Sequence, residues 1–206
     1  MTERPRRVVI LGAGGHGRVV ADILTLAGWQ VDGFLDDARD GPVLGLPVLG
    51  AFARAFEPGF LAGRCALVAL GDSAKRAAIS RTLVERGVGL ATAIHPSAVV
   101  ARDAAIGAGT TVAAGAVVGV TARIGRFCIV NTGASVDHDC VVEDGAFLAP
   151  GVRLCGGVRV GEGAFLGAGA IVLPGGQIAA GALVPAGAVV RAAESGRGSA
   201  VPRNGG

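Results

Sequence analysis

Residues 104–122 read "AAIGAGTTVAAGAVVGVTA". This stretch carries no charge and is long enough to cross a bilayer as a helix, so its period has to decide what it is. Ile106, Val112 and Val118 stand six residues apart. Extending that step both ways gives Ile94, Val100, Ile124, Val130, Val136, Val142, Leu148, Leu154, Val160, Leu166, Val172, Ile178, Val184 and Val190. Every position in the series is a branched aliphatic. Four places after each stands a small or β-branched residue, among them Ala104, Thr110, Ala116, Ala122, Cys128, Ala134 and Cys140. Glycine dominates the place between, as at Gly109, Gly115, Gly145, Gly151, Gly163 and Gly175.

A helix repeats every 3.6 residues and a strand every 2, and neither yields a six-residue series. A coil with three flat faces does, each face a short strand and each corner a turn. Three such units close one coil, so residues 94–190 make about five coils, a prism roughly 25 Å tall at the strand spacing of about 4.8 Å. The aliphatic residue points inward, the small one fits near the crowded corner, and glycine relieves the turn where φ is positive. The same period excludes a membrane span for the charge-free residues 163–190.

The whole chain has 206 residues, 51% of them hydrophobic, enough for one large or two small domains with a real core. It contains 36 glycines, no tyrosine and a single tryptophan, Trp29, so it packs aliphatic layers. A formal charge of +3 without a dense basic run argues against nucleic acid, while a mildly basic surface suits anionic small molecules. "MTERPRR" lacks the apolar core of a secretory signal, and Cys65, Cys128, Cys140 and Cys155 form no C-x-x-C pair. The expectation is a cytoplasmic protein with reduced, buried thiols and no metal.

Ahead of the repeat, apolar runs predict strands at 7–11, 30–35 and 66–70, helices at about 15–27 and 73–86, and a short strand near 90–94. "GAGGHGR" at 12–18 follows the first strand, and Gly12, Gly14 and Gly17 fit the G-x-G-x-x-G turn that brings a phosphate to a helix N-terminus. A purely structural strand-to-helix turn is the alternative. About ninety residues hold only one mononucleotide-binding half, so a dinucleotide is not expected. Asp36 and Asp37 lie about twenty residues further on, where an acidic residue meets a ribose hydroxyl.

"ILGAGGHGRVVADIL", "GFLDD", "ALGD" and "IHPSA" leading into hexads together resemble the hexapeptide-repeat acyltransferases. The resemblance is to their sialic-acid O-acetyltransferase-like subgroup, which includes N-acetyltransferases for UDP- or GDP-linked 4-amino sugars. It implies a half-Rossmann βαβ domain at 1–93 that holds the nucleotide-linked amino sugar. It further implies a left-handed parallel β-helix at 94–190, a tail at 191–206, acetyl-CoA as co-substrate, and homotrimers with clefts between prisms. Matched position by position, Gly14, His16 and Asp36 contact the nucleotide sugar, with Asp37, Gly71 and Asp72 as neighbours. Arg76 is either an aid to phosphate binding or a surface residue.

The chemistry narrows to one histidine. His95, beside Pro96, shapes the entry to the first coil. His138, in "NTGASVDHDCVV", is third in its hexad and therefore lies outside the core, flanked by Asp137 and Asp139. Histidine takes a proton near neutral pH, and a carboxylate partner fixes its tautomer. The resemblance makes His138 the general base, Asp139 its orienting acid and Asn131 a contact to the acceptor, and it gives Asp137 no role, although Asp137 competes physically for holding His138. Direct transfer from the thioester is expected, since Cys140 falls on a buried inward position. Phe147 stands nine residues after His138, where some members carry a second histidine that touches the acetyl group, so a donor is missing there. Either a backbone amide, as at Gly156–Gly157, is the substitute, or the substrate is placed differently. Phe147, Ala149, Gly156, Gly157, Ala168 and Gly169 are the expected cofactor neighbourhood, with "AVPR" in the tail an imperfect match to a cofactor-touching segment. The rival readings are an O-acetyltransferase and a non-catalytic sugar-nucleotide scaffold. A zinc β-helix enzyme would need three histidines, and only His95 and His138 fall on the prism.

Overall fold

A computed structural model describes residues 6–191. Strands β1 (Arg7–Leu11), β2 (Gln30–Leu35) and β3 (Cys65–Val68) form a parallel sheet in the order β2, β1, β3. Val8 and Ile10 pack with Val20, Ile23 and Leu24 of α1 (Gly15–Leu26), whereas Val9 and Leu11 pack with Leu83 of α2 (Ser73–Glu85). A helix on each face explains why β1 is an unbroken apolar run, not an alternating one. Only β1 and β2 are joined through a helix; between β2 and β3 the chain makes a single 3-10 turn at Phe52–Phe56. The order places the switch point of the sheet at the carboxyl ends of β1 and β3, the crevice where open α/β sheets bind ligands. The third strand ends at Val68, two residues earlier than the apolar run suggests. The carbonyls of Leu70 and Gly71 turn instead to the guanidinium of Arg76, at 2.8 and 3.3 Å.

From Ala93 to Val190 the described residues hold seventeen two-residue strands wound as a left-handed parallel β-helix of about five coils. Pairing runs eighteen residues ahead, Ile129 with Phe147 and Ser135 with Arg153, which is three hexads. The first face stacks the strands from Ala93–Ile94 through Ile129–Val130 and Phe147–Leu148 to Leu183–Val184. The second runs from Val99–Val100 through Ser135–Val136 to Val189–Val190, and the third from Ala105–Ile106 through Val141–Val142 to Gln177–Ile178. Val130, Val136, Val142 and Leu148 are essentially inaccessible, with Cys128, Ala134, Cys140 and Ala146 between them. Burying each such aliphatic stabilises by about 1.5–3 kcal/mol. The charge-free stretches therefore lie in the coils, and no helix among the described residues is long and apolar enough to cross a membrane.

Glycine fills most corners because the turn needs a left-handed residue, as at Gly115 (φ +66°). Three corners break that rule with Thr121 (+60°), Phe127 (+58°) and Asp139 (+60°). For a side chain that conformation costs roughly 1–2 kcal/mol, so each exception calls for a local reason.

Candidate active site

His138 and Asp139 sit on the corner between the second and third faces. With the core filled by Val136 and Cys140, the side chains between them point out, and that of His138 is 56% exposed. Its Nδ1 lies 2.9 Å from Asp139 Oδ2. An ionised carboxylate only accepts, so Nδ1 carries the proton and the lone pair of the neutral ring resides on Nε2. Asp139 is held from the coil below, where the Thr121 hydroxyl donates to Oδ1 at 2.6 Å and accepts from the Asp139 amide at 3.2 Å. This reciprocal pair accounts for two of the left-handed exceptions: side chains replace glycine where a carboxylate has to be aimed. Asp137 accepts from the His138 backbone amide at 2.8 Å and so fixes the main chain, leaving the ring to Asp139.

The electrostatics follow from these contacts. The hydrogen bond to Asp139, then the charge of Asp137, raise the His138 pKa above its ordinary value. The Thr121 hydroxyl, then His138, hold Asp139 below the usual carboxylate range. In the coil above, a Cβ on Gly156 would lie 2.6 Å from both Cε1 and Nε2 of His138. The imidazole therefore rests over the bare Cα of Gly156. Gly157 donates its amide to the His138 carbonyl at 2.9 Å, so of the pair expected to supply a donor only Gly156 has an amide outside the backbone ladder among the described residues.

The remaining prism candidates occupy other places. Asn131, Ala149, Ala168 and Gly169 line the corner between the first and second faces, and Asn131 Oδ1 accepts from the Thr132 amide at 2.8 Å. Phe147 is on the first face, stacked on Phe165 at 4.9 Å between ring centroids, with the Arg76 guanidinium 5.8 Å from its ring. One chain thus separates His138 from Asn131 and Phe147. The proline-containing tail lies outside the described residues.

In the front half most polar candidates also have structural duties. Asp36 accepts from the Ala13 amide at 2.8 Å and the Ala38 amide at 2.9 Å, tying the glycine loop to the end of β2. Asp37 accepts from Phe52 N at 2.8 Å, and Asp72 caps α2 by accepting from Lys75 N at 2.9 Å. A Cβ on Gly17 would lie 1.9 Å from the Gly12 carbonyl oxygen, so this glycine allows helix and loop to touch. Gly14 caps α1 with open space around it. His16 is different. Burial, then the nearby Arg76 charge, lower its pKa to about 4, and its buried Nε2 has no partner among the described residues. A neutral imidazole with a free ring nitrogen at the switch point is suited to meeting a ligand.

Arg76 is not at the surface, and its guanidinium is taken up by backbone carbonyls. It is 1% exposed. Burial lowers its pKa to about 10, which leaves it charged. Its role was hidden in sequence, as was that of Thr121, although the coil period of eighteen residues points from Asp139 straight to Thr121.

The front sheet and the coils both have counterparts in known proteins. The PglD N-terminal domain family matches residues 7–83. The acetyltransferase domain of PglB from Neisseria gonorrhoeae is 35% identical with a TM-score of 0.88, covering 92% of this chain and 94% of that one. The same domain in complex with acetyl coenzyme A gives 34% and 0.86, covering 91% and 94%. A mutant of perosamine N-acetyltransferase from Caulobacter crescentus, in complex with CoA and GDP-perosamine, is 40% identical with a TM-score of 0.84, covering 92% and 89%. This chain belongs to the hexapeptide-repeat sugar N-acetyltransferases. No curated protein sequence matches it. Members of this family with solved structures align along nearly the whole described chain, so the likeness includes both the front sheet and the coils.

Proposed function

We propose that this protein is an acetyl-CoA-dependent N-acetyltransferase acting on the amino group of a UDP- or GDP-linked 4-amino-4,6-dideoxy sugar. The observation that carries this reading is the His138–Asp139–Thr121 relay, with Nδ1 protonated and Nε2 free, on a chain 40% identical to a protein solved with CoA and GDP-perosamine. The front half, residues 1–93, holds the sugar nucleotide at the switch point, with His16, Gly14, Asp36, Asp37, Gly71 and Asp72 around it. Residues 94–190 carry the transfer.

The sugar amine gives a proton to His138 Nε2 while its nitrogen attacks the thioester carbonyl. Asp139 stabilises the imidazolium that forms. The tetrahedral oxyanion is met by the Gly156 amide, then collapses; the C–S bond breaks and the thiolate leaves, taking the proton back from His138. Positioning and oxyanion stabilisation supply most of the rate. A covalent acyl-enzyme is disfavoured because burial raises the pKa of Cys140, and that of Cys128 to about 12.

The homotrimer belongs to the same reading. His138, the Asn131–Gly169 column and the front half sit on three different edges of one prism, and neighbouring prisms bring such edges together. Exposed Val99, Val117 and Val189 on the second face, with Phe165 and Leu183 on the first, form apolar rows for that contact. We place the enzyme in the cytoplasm, where both co-substrates are available and unpaired cysteines such as these four persist.

The test is to mix acetyl-CoA with a panel of UDP- and GDP-linked amino sugars, follow thiol release and analyse the product by mass. Amide-linked acetate on one sugar is expected. Ester-linked acetate makes the enzyme an O-acetyltransferase, and binding without transfer makes it a scaffold.

A further inference from the structure

Arg76 has five N–H donors, and both halves of the molecule accept from them. Nε donates to the Phe127 carbonyl at 2.8 Å and Nη2 to the Gly145 carbonyl at 2.7 Å, two corners of the prism one coil apart. Nη1 donates to the carbonyls of Leu70 and Gly71, and Nη2 also reaches Ser73 Oγ at 3.2 Å. Residues 70–72 belong to the loop at the carboxyl end of β3 and Ser73 opens α2, on one wall of the switch-point crevice. Among the described residues no carboxylate is ion-paired with the guanidinium, although the charge of Asp72 is nearby; carbonyl dipoles satisfy its donors, so its geometry is set chiefly by direction.

The surroundings are built for close docking. Phe127, fully buried, adopts the left-handed corner conformation that glycine takes elsewhere, and its ring fills the space over Gly109, where a Cβ would lie 2.9 Å from Cδ1. A Cβ on Gly145 would lie 3.4 Å from Ala77 Cβ of α2. Further along the same edge, Arg81 pairs with Glu162. The third left-handed exception is thereby explained: Phe127 plugs the joint and presents its carbonyl to Arg76.

We infer that Arg76 is a positioning residue that fixes the segment at residues 70–73 relative to the prism and so sets where the acceptor sugar stands with respect to the transferred acetyl group. This rests on the reading that the crevice holds a sugar nucleotide. Lysine keeps the charge but has three donors on a flexible stem and cannot span four carbonyls in two halves.

The experiment compares the full-length wild type with Arg76→Lys. Thiol release is measured against sugar nucleotide at saturating acetyl-CoA and against acetyl-CoA at saturating sugar nucleotide, with direct binding of acetyl-CoA as a separate readout. Arg76→Lys should lose at least tenfold in kcat/KM for the sugar nucleotide while the acetyl-CoA Kd stays within about twofold, a split that general destabilisation would not give. If Arg76→Lys does not fold, Gly145→Ala replaces it: arginine is intact, but alanine is strained at φ +71° on the corner whose carbonyl Arg76 holds, and the same split is expected. Unchanged kcat/KM in whichever variant folds, or equal loss toward both substrates, overturns the inference. If the wild type acetylates no sugar nucleotide, the functional reading fails on its own. The joint is then judged by hydrogen exchange over residues 70–76, which should quicken in the same variant; unaltered exchange overturns it.

Discussion

The front half and the coils use polar residues in opposite ways. In the small α/β half, Asp36, Asp37 and Asp72 each accept a backbone amide that would otherwise go unpaired, and Arg76 is buried in the joint. In the coils, the ladder and the inward aliphatics already satisfy the fold, so a corner side chain such as His138 is left outside with a free ring nitrogen. A repeat that solves folding with two positions in six frees the rest for chemistry, whereas a three-stranded sheet must first hold its own loops. On the proposed function, contacts to the nucleotide in the front half are consequently inseparable from its stability, whereas the corner that carries His138 is not.

That contrast can be broken most sharply at its extremes. His138→Ala should lower kcat/KM by about 10²–10⁴-fold, the range of a lost general base, with the thermal midpoint unchanged because the ring supports nothing in the core. A melting midpoint that falls with activity would erase the distinction. Gly17→Ala does the reverse in the front half: the methyl has to overlap the Gly12 carbonyl, so about 3 kcal/mol or more of stability should be lost in denaturant titration.

His16 gives a pH test of the same half. Its folded pKa of about 4 lies below the unfolded value near 6.5. The neutral ring therefore contributes stability that is fully present above pH 6.5 and is lost as pH falls through 4, about 3 kcal/mol at most. His16→Gln should flatten that limb of a stability-versus-pH curve. In the coils, Gly115→Ala meets open space and bears only the left-handed strain, so chemical denaturation should register roughly 1–2 kcal/mol.

The coils were legible because one period fixes everything in them: face, corner, inward residue and the place of His138 outside the core. The front strands and helices were legible within two or three residues from apolar runs. Arg76 was not, because its partners are carbonyls of Phe127 and Gly145, and a backbone acceptor leaves no mark in a sequence. The resemblance gave the ring to Asp139, as the structure has it; what sequence did not show is that Asp137 takes the main chain and that the Thr121 hydroxyl one coil away aims Asp139. Phe147 was readable as a departure from the family pattern, but its approach to the Arg76 guanidinium was not.

The dependence of kcat/KM on pH, in the wild type and in Asp139→Asn, tests the central claim most directly. If His138 must be neutral to accept the amine proton, activity rises with pH through an ionisation above the ordinary histidine value, because Asp139 and Asp137 favour the imidazolium. That midpoint moves down when asparagine removes the charged partner. A flat profile in the wild type, or a midpoint that does not move in Asp139→Asn, would contradict the account.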